Sequence, residues 1–197
     1  MKTIYKDNVV EIEIKKSKFV SYAYKVTTEQ DVKECLSDLQ KLHRSANHIT
    51  YAYVLHAPSV EKCSDDGEPN GTAGKPILDV IKKNDMTNIL IAVVRYFGGI
   101  KLGAGGLVRA YSNSAKEVID SVGSYDLRRY IIMKITVMVV NKHLIDNEQR
   151  IKILNTDYSR IGEKLIIYNV VVEDDLELIN RLKSICVEII ELDRKFM

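Results

Sequence analysis

The sequence predicts an α+β protein of two domains, 1–127 and 128–197. Strand-like and helix-like segments alternate along the whole chain, and their pattern changes near residue 127. Of the 197 residues, 46% are apolar, 28% are charged, 10 are glycine and 3 are proline. This balance is that of a folded globular protein and excludes disordered, collagenous and low-complexity chains. The length accommodates one full-sized domain or two small ones.

The first elements are a predicted hairpin and a helix. Segments 9–14 and 19–24 have strand-like composition and flank a short polar turn, as in a β-hairpin. Apolar residues then recur at helical spacing, which predicts one helix over 28–46. Thr27, followed three residues later by Gln30, has the pattern of a capping box at its start.

A central strand and a second long helix follow. Segment 49–56 is rich in strand-forming residues, and 88–97 contains a continuous apolar run. Such a run is typical of a strand that is covered on both faces, so we expect it at the centre of a sheet. Helical spacing resumes over 107–122, and Gly123 is placed to end that helix.

The second half repeats the alternation of strands and helices. It predicts a strand, a modest helix, a hairpin, a short helix and a final strand over 129–141, 144–155, 157–173, 176–182 and 187–192. The order β-α-β-β-α-β is that of a ferredoxin-like domain, in which two helices cover one face of a four-stranded antiparallel sheet.

Several protein classes are excluded. The longest apolar runs are far shorter than the ~20 residues of a membrane helix, and the N-terminus has no secretory signal pattern. We therefore expect a cytoplasmic protein. Cys35, Cys63 and Cys186 cannot all pair and show no C-x-x-C spacing, so we expect reduced thiols and neither a disulfide framework nor a zinc knuckle.

The charge is small and evenly spread. The net charge is +2, with 17 basic and 16 acidic residues up to residue 127 and 12 and 11 after it, so each part carries +1. A protein that holds nucleic acid by bulk positive charge has a basic tail or a basic domain. Any site for a polyanion must therefore be a local patch.

Glycine and proline cluster in two irregular segments, 64–76 and 98–106, each of which leads into a helix. The second segment has the order strand, glycine loop, helix N-terminus, where free N–H groups and the helix dipole favour an anion. The predicted phosphate or nucleic-acid site comprises Arg95, Lys101, Gly103, Ala104, Gly105, Gly106 and Arg109. The alternative is that the glycines serve tight turns and close helix–strand packing.

Neither loop fits a nucleotide-binding fingerprint. Segment 103–108 lacks the third glycine of G-x-G-x-x-G, and Gly74 with Lys75 lacks the first glycine of a P-loop, since Pro69 occupies that position. The Rossmann and P-loop classes are therefore excluded.

The acidic cluster of Asp65, Asp66 and Glu68 has two interpretations. It has the chemistry to ligate a hard divalent cation or to supply a general base. However, acidic residues beside Gly67 and Pro69 are common in turns, and no histidine or second carboxylate group stands nearby at metal-ligand spacing. We favour a turn and predict neither a metal nor a cofactor.

His48 is the candidate functional histidine, because it lies at the junction of a helix and a strand. It can also be purely structural. Cys63 is a candidate nucleophile only if His48 lies beside it in space. No Ser-His-Asp pattern is visible.

The two irregular segments, taken as 64–76 and 93–111, resemble the signature of the YigZ/IMPACT family. Segments 15–19 and 46–48 also resemble that family, so the likeness covers the first domain. The tail is similar to the family's bacterial C-terminal domain but departs from it at 141–144. The residues matching the first signature loop are Asp65, Asp66, Gly67, Glu68, Gly71, Thr72, Gly74 and Lys75.

This resemblance implies a first domain like a small-subunit ribosomal protein, domain four of elongation factor G and the GHMP kinases. The second domain would resemble domain five of elongation factor G. Eukaryotic members of the family act in translational control by competing for an activator of an initiation-factor kinase. The resemblance thus implies a non-enzymatic protein of the translation apparatus that binds RNA or ribosomal components, or a protein partner, away from membranes. A small enzyme acting on a phosphorylated ligand and a pure protein-interaction module remain alternatives.

Overall fold

The computed structural model describes residues 1–196 of a mixed α and β protein, as predicted. The chain divides into two compact units, Met1–Asp126 and a second that begins at Leu127. The helices are α1 Glu29–Leu42, α2 Gly74–Lys83, α3 Ala104–Val122, α4 Lys142–Asp146 and α5 Leu176–Ile185. The strands are β1 Lys2–Ile4, β2 Asn8–Ile14, β3 Ser17–Lys25, β4 His48–Leu55, β5 Val60–Ser64, β6 Ile89–Tyr96, β7 Ser124–Asp126, β8 Arg129–Met138, β9 Ile151–Asp157, β10 Leu165–Glu173 and β11 Cys186–Phe196.

The first unit is built on an antiparallel sheet of five strands in the order β2-β3-β6-β4-β5. Strand β6 lies at its centre and is buried from Ile89 to Arg95, which confirms the expected central strand. The larger core lies between this sheet and helices α2 and α3 and includes Phe19, Ile77 and Tyr111. A smaller core lies under α1.

Helix α1 is shorter than predicted and is capped one residue later. The hydroxyl of Thr28 accepts a hydrogen bond from the Asp31 N–H at 3.1 Å, and the Asp31 carboxylate accepts from the Thr28 N–H at 3.0 Å. This reciprocal pair replaces the predicted Thr27 and Gln30. The helix then ends at Leu42 rather than at 46, because His43 leaves the helical conformation.

The second unit has the element order β-α-β-β-α-β and one antiparallel sheet in the order β11-β8-β10-β9. Its own core includes Ile135, Tyr168 and Leu178. The predicted helix over 144–155 is wrong, because only Lys142–Asp146 is α-helical there, and Ile151–Asp157 is a strand that pairs with β10. Pairing with a buried neighbouring strand outweighs the weak helical preference of this segment.

The sequence patterns did not predict two short strand pairings. Strand β1 pairs with β7, which joins the N-terminus to the end of the first unit, and β5 adds an edge to the main sheet. Within residues 1–196, no helix has both the length and the apolar character needed to cross a membrane.

Candidate ligand-binding groove

Three segments that are distant in sequence meet around one groove of about 470 Å³ in the first unit. They are the start of β4, the first irregular loop, and the stretch from the end of β6 into α3. We call this cavity the loop groove; it is lined by residues 47–48, 68–69, 95, 97, 101–104 and 107. Parts of both irregular loops therefore face one cavity, and His48 lies there with them.

A buried ion pair forms part of its lining. The Arg95 guanidinium donates to a carboxylate oxygen of Glu68 at 2.6 Å, and the two side chains are only 7% and 3% exposed. The hydroxyl of Tyr111 donates to the same oxygen at 2.7 Å, and burial, followed by this contact with Glu68, raises the pKa of Tyr111. Arg95 is therefore not the free cation that the sequence predicts, because Glu68 neutralises its charge.

The position of His48 follows from strand register. His48 and Arg95 are paired across β4 and β6, so their side chains lie on the same face of the sheet. The His48 Nδ1–H donates to the Asp66 carbonyl oxygen at 2.7 Å. Because a carbonyl oxygen only accepts, neutral His48 carries its lone pair on Nε2.

The first loop is fastened to β4 at Asp66 and Gly67. Both residues have positive φ, +43° and +83°, and a Cβ on Gly67 would lie 3.5 Å from the His48 ring. The Asp66 carboxylate accepts from the Ile49 N–H at 2.5 Å. These contacts give Asp66 a role in ordering the loop and in orienting His48.

Asp65 caps helix α2 from outside the helix. Its two carboxylate oxygens accept from the N–H groups of Gly71, Ala73 and Gly74 at 2.8, 3.0 and 2.8 Å. Burial by itself raises the pKa of this carboxyl, but the three N–H donors outweigh it, and the net pKa is lowered. Thr72 closes the same turn, since its hydroxyl donates to the Pro69 carbonyl at 2.6 Å.

Two signature residues at the start of α2 lie outside the groove lining. Lys75 is exposed and forms an ion pair with Asp79 at 2.8 Å. A Cβ on Gly74 would lie 2.7 Å from the Ser64 carbonyl oxygen, so this glycine permits close packing of the loop on β5. Neither has a ligand-facing role in this arrangement.

Most glycines of the second loop have conformational or packing roles. A Cβ on Gly98 would lie 1.8 Å from the Lys16 carbonyl oxygen, at the β2–β3 turn. Gly99 and Gly103 have φ of +83° and +71°, which other residues rarely adopt. Gly105 has neither constraint, since its nearest neighbour would be 4.0 Å away.

The N-terminus of α3 opens at the groove. The helix begins at Ala104, and its N-cap, Gly103, makes no side-chain capping bond. Lys101 is exposed and lines the same groove. Arg109 instead lines a separate cavity of about 440 Å³, together with Lys15 and Gly106. The three predicted cations therefore differ in their surroundings. Arg95 is neutralised in a buried ion pair, Lys101 is exposed in the loop groove, and Arg109 lines another cavity.

The structure does not bring Cys63 to His48. Cys63 pairs with Ala52 across β5 and β4, four residues along β4 from His48, so the two lie about 14 Å apart along the strand at roughly 3.4 Å per residue. Burial and the neighbouring Asp65 charge raise the pKa of the Cys63 thiol, which disfavours the thiolate.

The described residues contain no group of three histidine, cysteine or acidic side chains placed to hold a metal ion.

The sequence patterns missed Asn47, Phe97 and Tyr111 as parts of this region. Phe97 is 46% exposed and lines the groove, and its N–H donates to the Asn47 side-chain oxygen at 2.8 Å. For Phe97, the available signal was an aromatic residue directly before the pair Gly98 and Gly99. This pattern alone does not distinguish a buried ring from an exposed one.

The first unit is similar to a described protein family. Residues 15–119 match the Impact N-terminal domain. The chain is 42% identical over 141 residues to the IMPACT family member YvyE of Bacillus subtilis, which is 71% of this chain and 65% of that protein. It thus spans a little under two thirds of that relative. It is also 35% identical over 154 residues to the IMPACT family member YigZ of Escherichia coli, with 74% of each chain covered.

A solved structure has a similar fold. A crystal structure of a hypothetical protein matches with a TM-score of 0.62 and 28% identity, covering 93% of this chain and 89% of the other.

Proposed function

The chain belongs to the IMPACT family, and on this premise we propose that it is a cytoplasmic protein of translational control that binds RNA or a ribosomal component through the loop groove. The family resemblance supports the role in translation. The chemistry of the groove supports a phosphate-bearing polymer as the ligand. The net charge of +2 requires that affinity come from a few local contacts.

One observation carries this proposal. Both irregular loops border one groove, and the uncapped N-terminus of α3 opens there beside the exposed Lys101. Free N–H groups at a helix N-terminus, together with the helix dipole, favour a phosphate. The lysine adds a full positive charge that no ion pair neutralises within the described part of the chain.

We propose that the first unit is a domain like domain four of elongation factor G, and that the second is a ferredoxin-like domain like its domain five. The sheet order of the second unit, with β8 and β10 central and β11 and β9 at the edges, supports the ferredoxin-like assignment. The family resemblance supports the first assignment.

The test is the salt dependence of RNA binding. Each phosphate contact on single-stranded RNA contributes about −0.7 to the slope of log affinity against log salt concentration. With Arg95 neutralised and Arg109 in a separate cavity, Lys101 is the free cation that the described residues place in the loop groove, so we expect a slope of about −0.7. Lys101→Ala should flatten it by about 0.7 and weaken binding similarly for all RNA sequences.

Lys75→Ala is the matched control, because Lys75 is also an exposed lysine near a helix start but lies outside the groove lining. It should change RNA affinity little. If RNA and ribosomal subunits bind no better than they bind an unrelated neutral protein at ~50 mM salt, or if Lys101→Ala and Lys75→Ala behave alike, this function is wrong.

The arrangement of His48 favours a second candidate, a small enzyme acting on a phosphorylated ligand. A histidine whose Nδ1–H is held by a carbonyl oxygen, as here by Asp66, presents Nε2 as a general base. Release of phosphate from nucleotides or from RNA ends, abolished in His48→Gln, would establish it. Absence of turnover in the unaltered protein would dismiss it.

A further inference from the structure

One end of the loop groove combines an aromatic ring, a cation and an open helix terminus. Phe97 is 46% exposed, Lys101 is exposed, and α3 begins at Ala104 without a side-chain cap; all three border the groove. We propose that the loop groove binds one nucleotide unit, with its phosphate at the N-terminus of α3 and its base stacked on Phe97. The proposal rests on the proposed function and specifies which part of an RNA the groove recognises.

The phosphate position follows from the first turn of α3. The first helical bond there is donated by the Leu107 N–H to the Gly103 carbonyl at 2.9 Å, so the N–H groups of residues 104–106 precede the helical ladder. Gly103 has no side chain with which to cap them. A phosphate at this point receives N–H donors and the positive end of the helix dipole, and Lys101 adds a charge.

Arg95 provides a second and independent indication of a ligand. Its side chain lines the groove, is 7% exposed and gives one nitrogen to Glu68. Its Nε is buried and has no hydrogen-bond partner among residues 1–196. Native proteins leave few buried donors unpaired. An unpaired donor on a groove-lining side chain therefore supports the loop groove as the place where a ligand binds.

Phe97 provides the stacking surface. The Arg95 guanidinium carbon lies 5.6 Å from the centroid of its ring, and the Phe97 N–H is held by the Asn47 side chain. Phe97 is thus held at its backbone, the Arg95 guanidinium lies over its ring, and 46% of the residue's surface stays exposed. Bases stack on such rings with little dependence on sequence, because every base has a π-face.

The combination favours a nucleotide over a simple anion. An inorganic anion would use α3 and Lys101 and leave the exposed Phe97 ring without a role. A volume of about 470 Å³ lies within the range of about 300–1,000 Å³ that is usual for small-molecule sites. His48 also lines the groove, and the Nε2 lone pair of its neutral ring is an acceptor for the exocyclic amino group of a base.

The experiment compares AMP, ribose 5-phosphate and adenosine as ligands of the full-length protein, with binding followed by NMR of the backbone amides. AMP should bind about tenfold more tightly than ribose 5-phosphate, because stacking on an aromatic side chain has roughly that effect on affinity. The amide signals of residues 104–106 should shift with both phosphates and not with adenosine. Phe97→Ala should reduce AMP affinity to that of ribose 5-phosphate and leave the latter unchanged, whereas Phe97→Tyr should retain AMP binding.

Lys101→Met should weaken AMP and ribose 5-phosphate equally. Equal affinity for AMP and ribose 5-phosphate, or an equal loss of both in a folded Phe97→Ala protein, overturns the nucleotide site. If AMP binds as expected while RNA does not bind, the nucleotide site stands and the proposed function fails. If RNA binds with the expected salt slope while Phe97→Ala affects neither AMP nor RNA, the proposed function stands and this site fails.

Discussion

The guanidinium of Arg95, at the end of the central strand β6, donates to the carboxylate of Glu68 in the first loop across 2.6 Å, in a region closed to solvent. The two residues are 27 positions apart in sequence. The pair ties the first loop to the strand that leads into the second. Loop position and groove shape therefore depend on one buried charge pair.

We expect Glu68→Ala to lower the free energy of unfolding by about 3–5 kcal/mol, because it leaves the Arg95 charge buried and unpaired. The double variant Arg95→Met, Glu68→Leu should lose less than Glu68→Ala, since apolar residues of similar volume replace a buried pair at little cost. Urea unfolding of both variants measures this. A double variant no more stable than Glu68→Ala would show that the pair is not the reason for the loss.

Removing the Asp65 carboxylate should destabilise α2. Asp65→Ala eliminates three N–H contacts at the start of this helix and should cost about 1–2 kcal/mol, as for other helix caps. Because folding lowers the pKa of Asp65, its contribution is complete above the unfolded pKa of about 4 and is lost as pH falls below it. Unfolding curves of both proteins at pH 7 and pH 3 test this, and an equal difference at both pH values would contradict it.

Two glycines of the second loop should respond in opposite ways to the same change. Gly98→Ala places a methyl group 1.8 Å from the Lys16 carbonyl oxygen and should destabilise the protein by about 1–3 kcal/mol or more. Gly105→Ala meets no atom closer than 4.0 Å and should stabilise α3 by up to about 1 kcal/mol. Thermal unfolding of the two variants gives the comparison. Equal effects would mean that close approach at Gly98 does not matter.

His43 should make the protein less stable in mild acid. Its ring nitrogens each lie 2.7 Å from a tyrosine hydroxyl, that of Tyr22 or Tyr96, and burial, followed by the Lys18 charge, lowers its pKa. Since the folded pKa lies below the unfolded value of about 6.5, stability is complete above that pH and falls as the pH drops through it towards the folded pKa.

NMR titration of the His43 ring and urea unfolding between pH 8 and pH 5 measure both quantities. Lys18→Met should raise the pKa of His43, because it removes a like charge. A folded-state pKa of His43 above 6.5 would refute the prediction.

The first unit should fold without the second, because each has its own core. Residues 1–126 should give a dispersed NMR spectrum and unfold cooperatively. A 1–123 fragment should be less stable, since it lacks β7, the partner of β1, and so uncovers Thr3 and Ile4, which are fully buried. Early protease cleavage of the full chain within 88–122 or 158–173 would count against two independent units.

Local chemistry was sufficient to predict much of the fold. The β2–β3 hairpin, the central strand β6 and helix α3 with Gly123 at its end follow from short-range patterns, because alternation, apolar runs and glycine stops act through neighbouring residues. The two irregular loops and their family resemblance were also visible in the sequence, because they too depend on short-range patterns. Segment 151–157 could not be assigned from the sequence, since its strand depends on β10, which lies farther along the chain.

The residue types of the site were visible in the sequence: two glycine-rich loops, an acidic cluster, a histidine and three cations. The role of each residue depended on the folded contacts. Strand register placed His48 beside Arg95, the fold supplied Glu68 to neutralise Arg95, and the helical turn of α3 sent Arg109 to a different cavity from Lys101. The charge that a residue presents to a ligand depends on its burial and on its partner. Both are set by contacts between segments that are far apart in sequence.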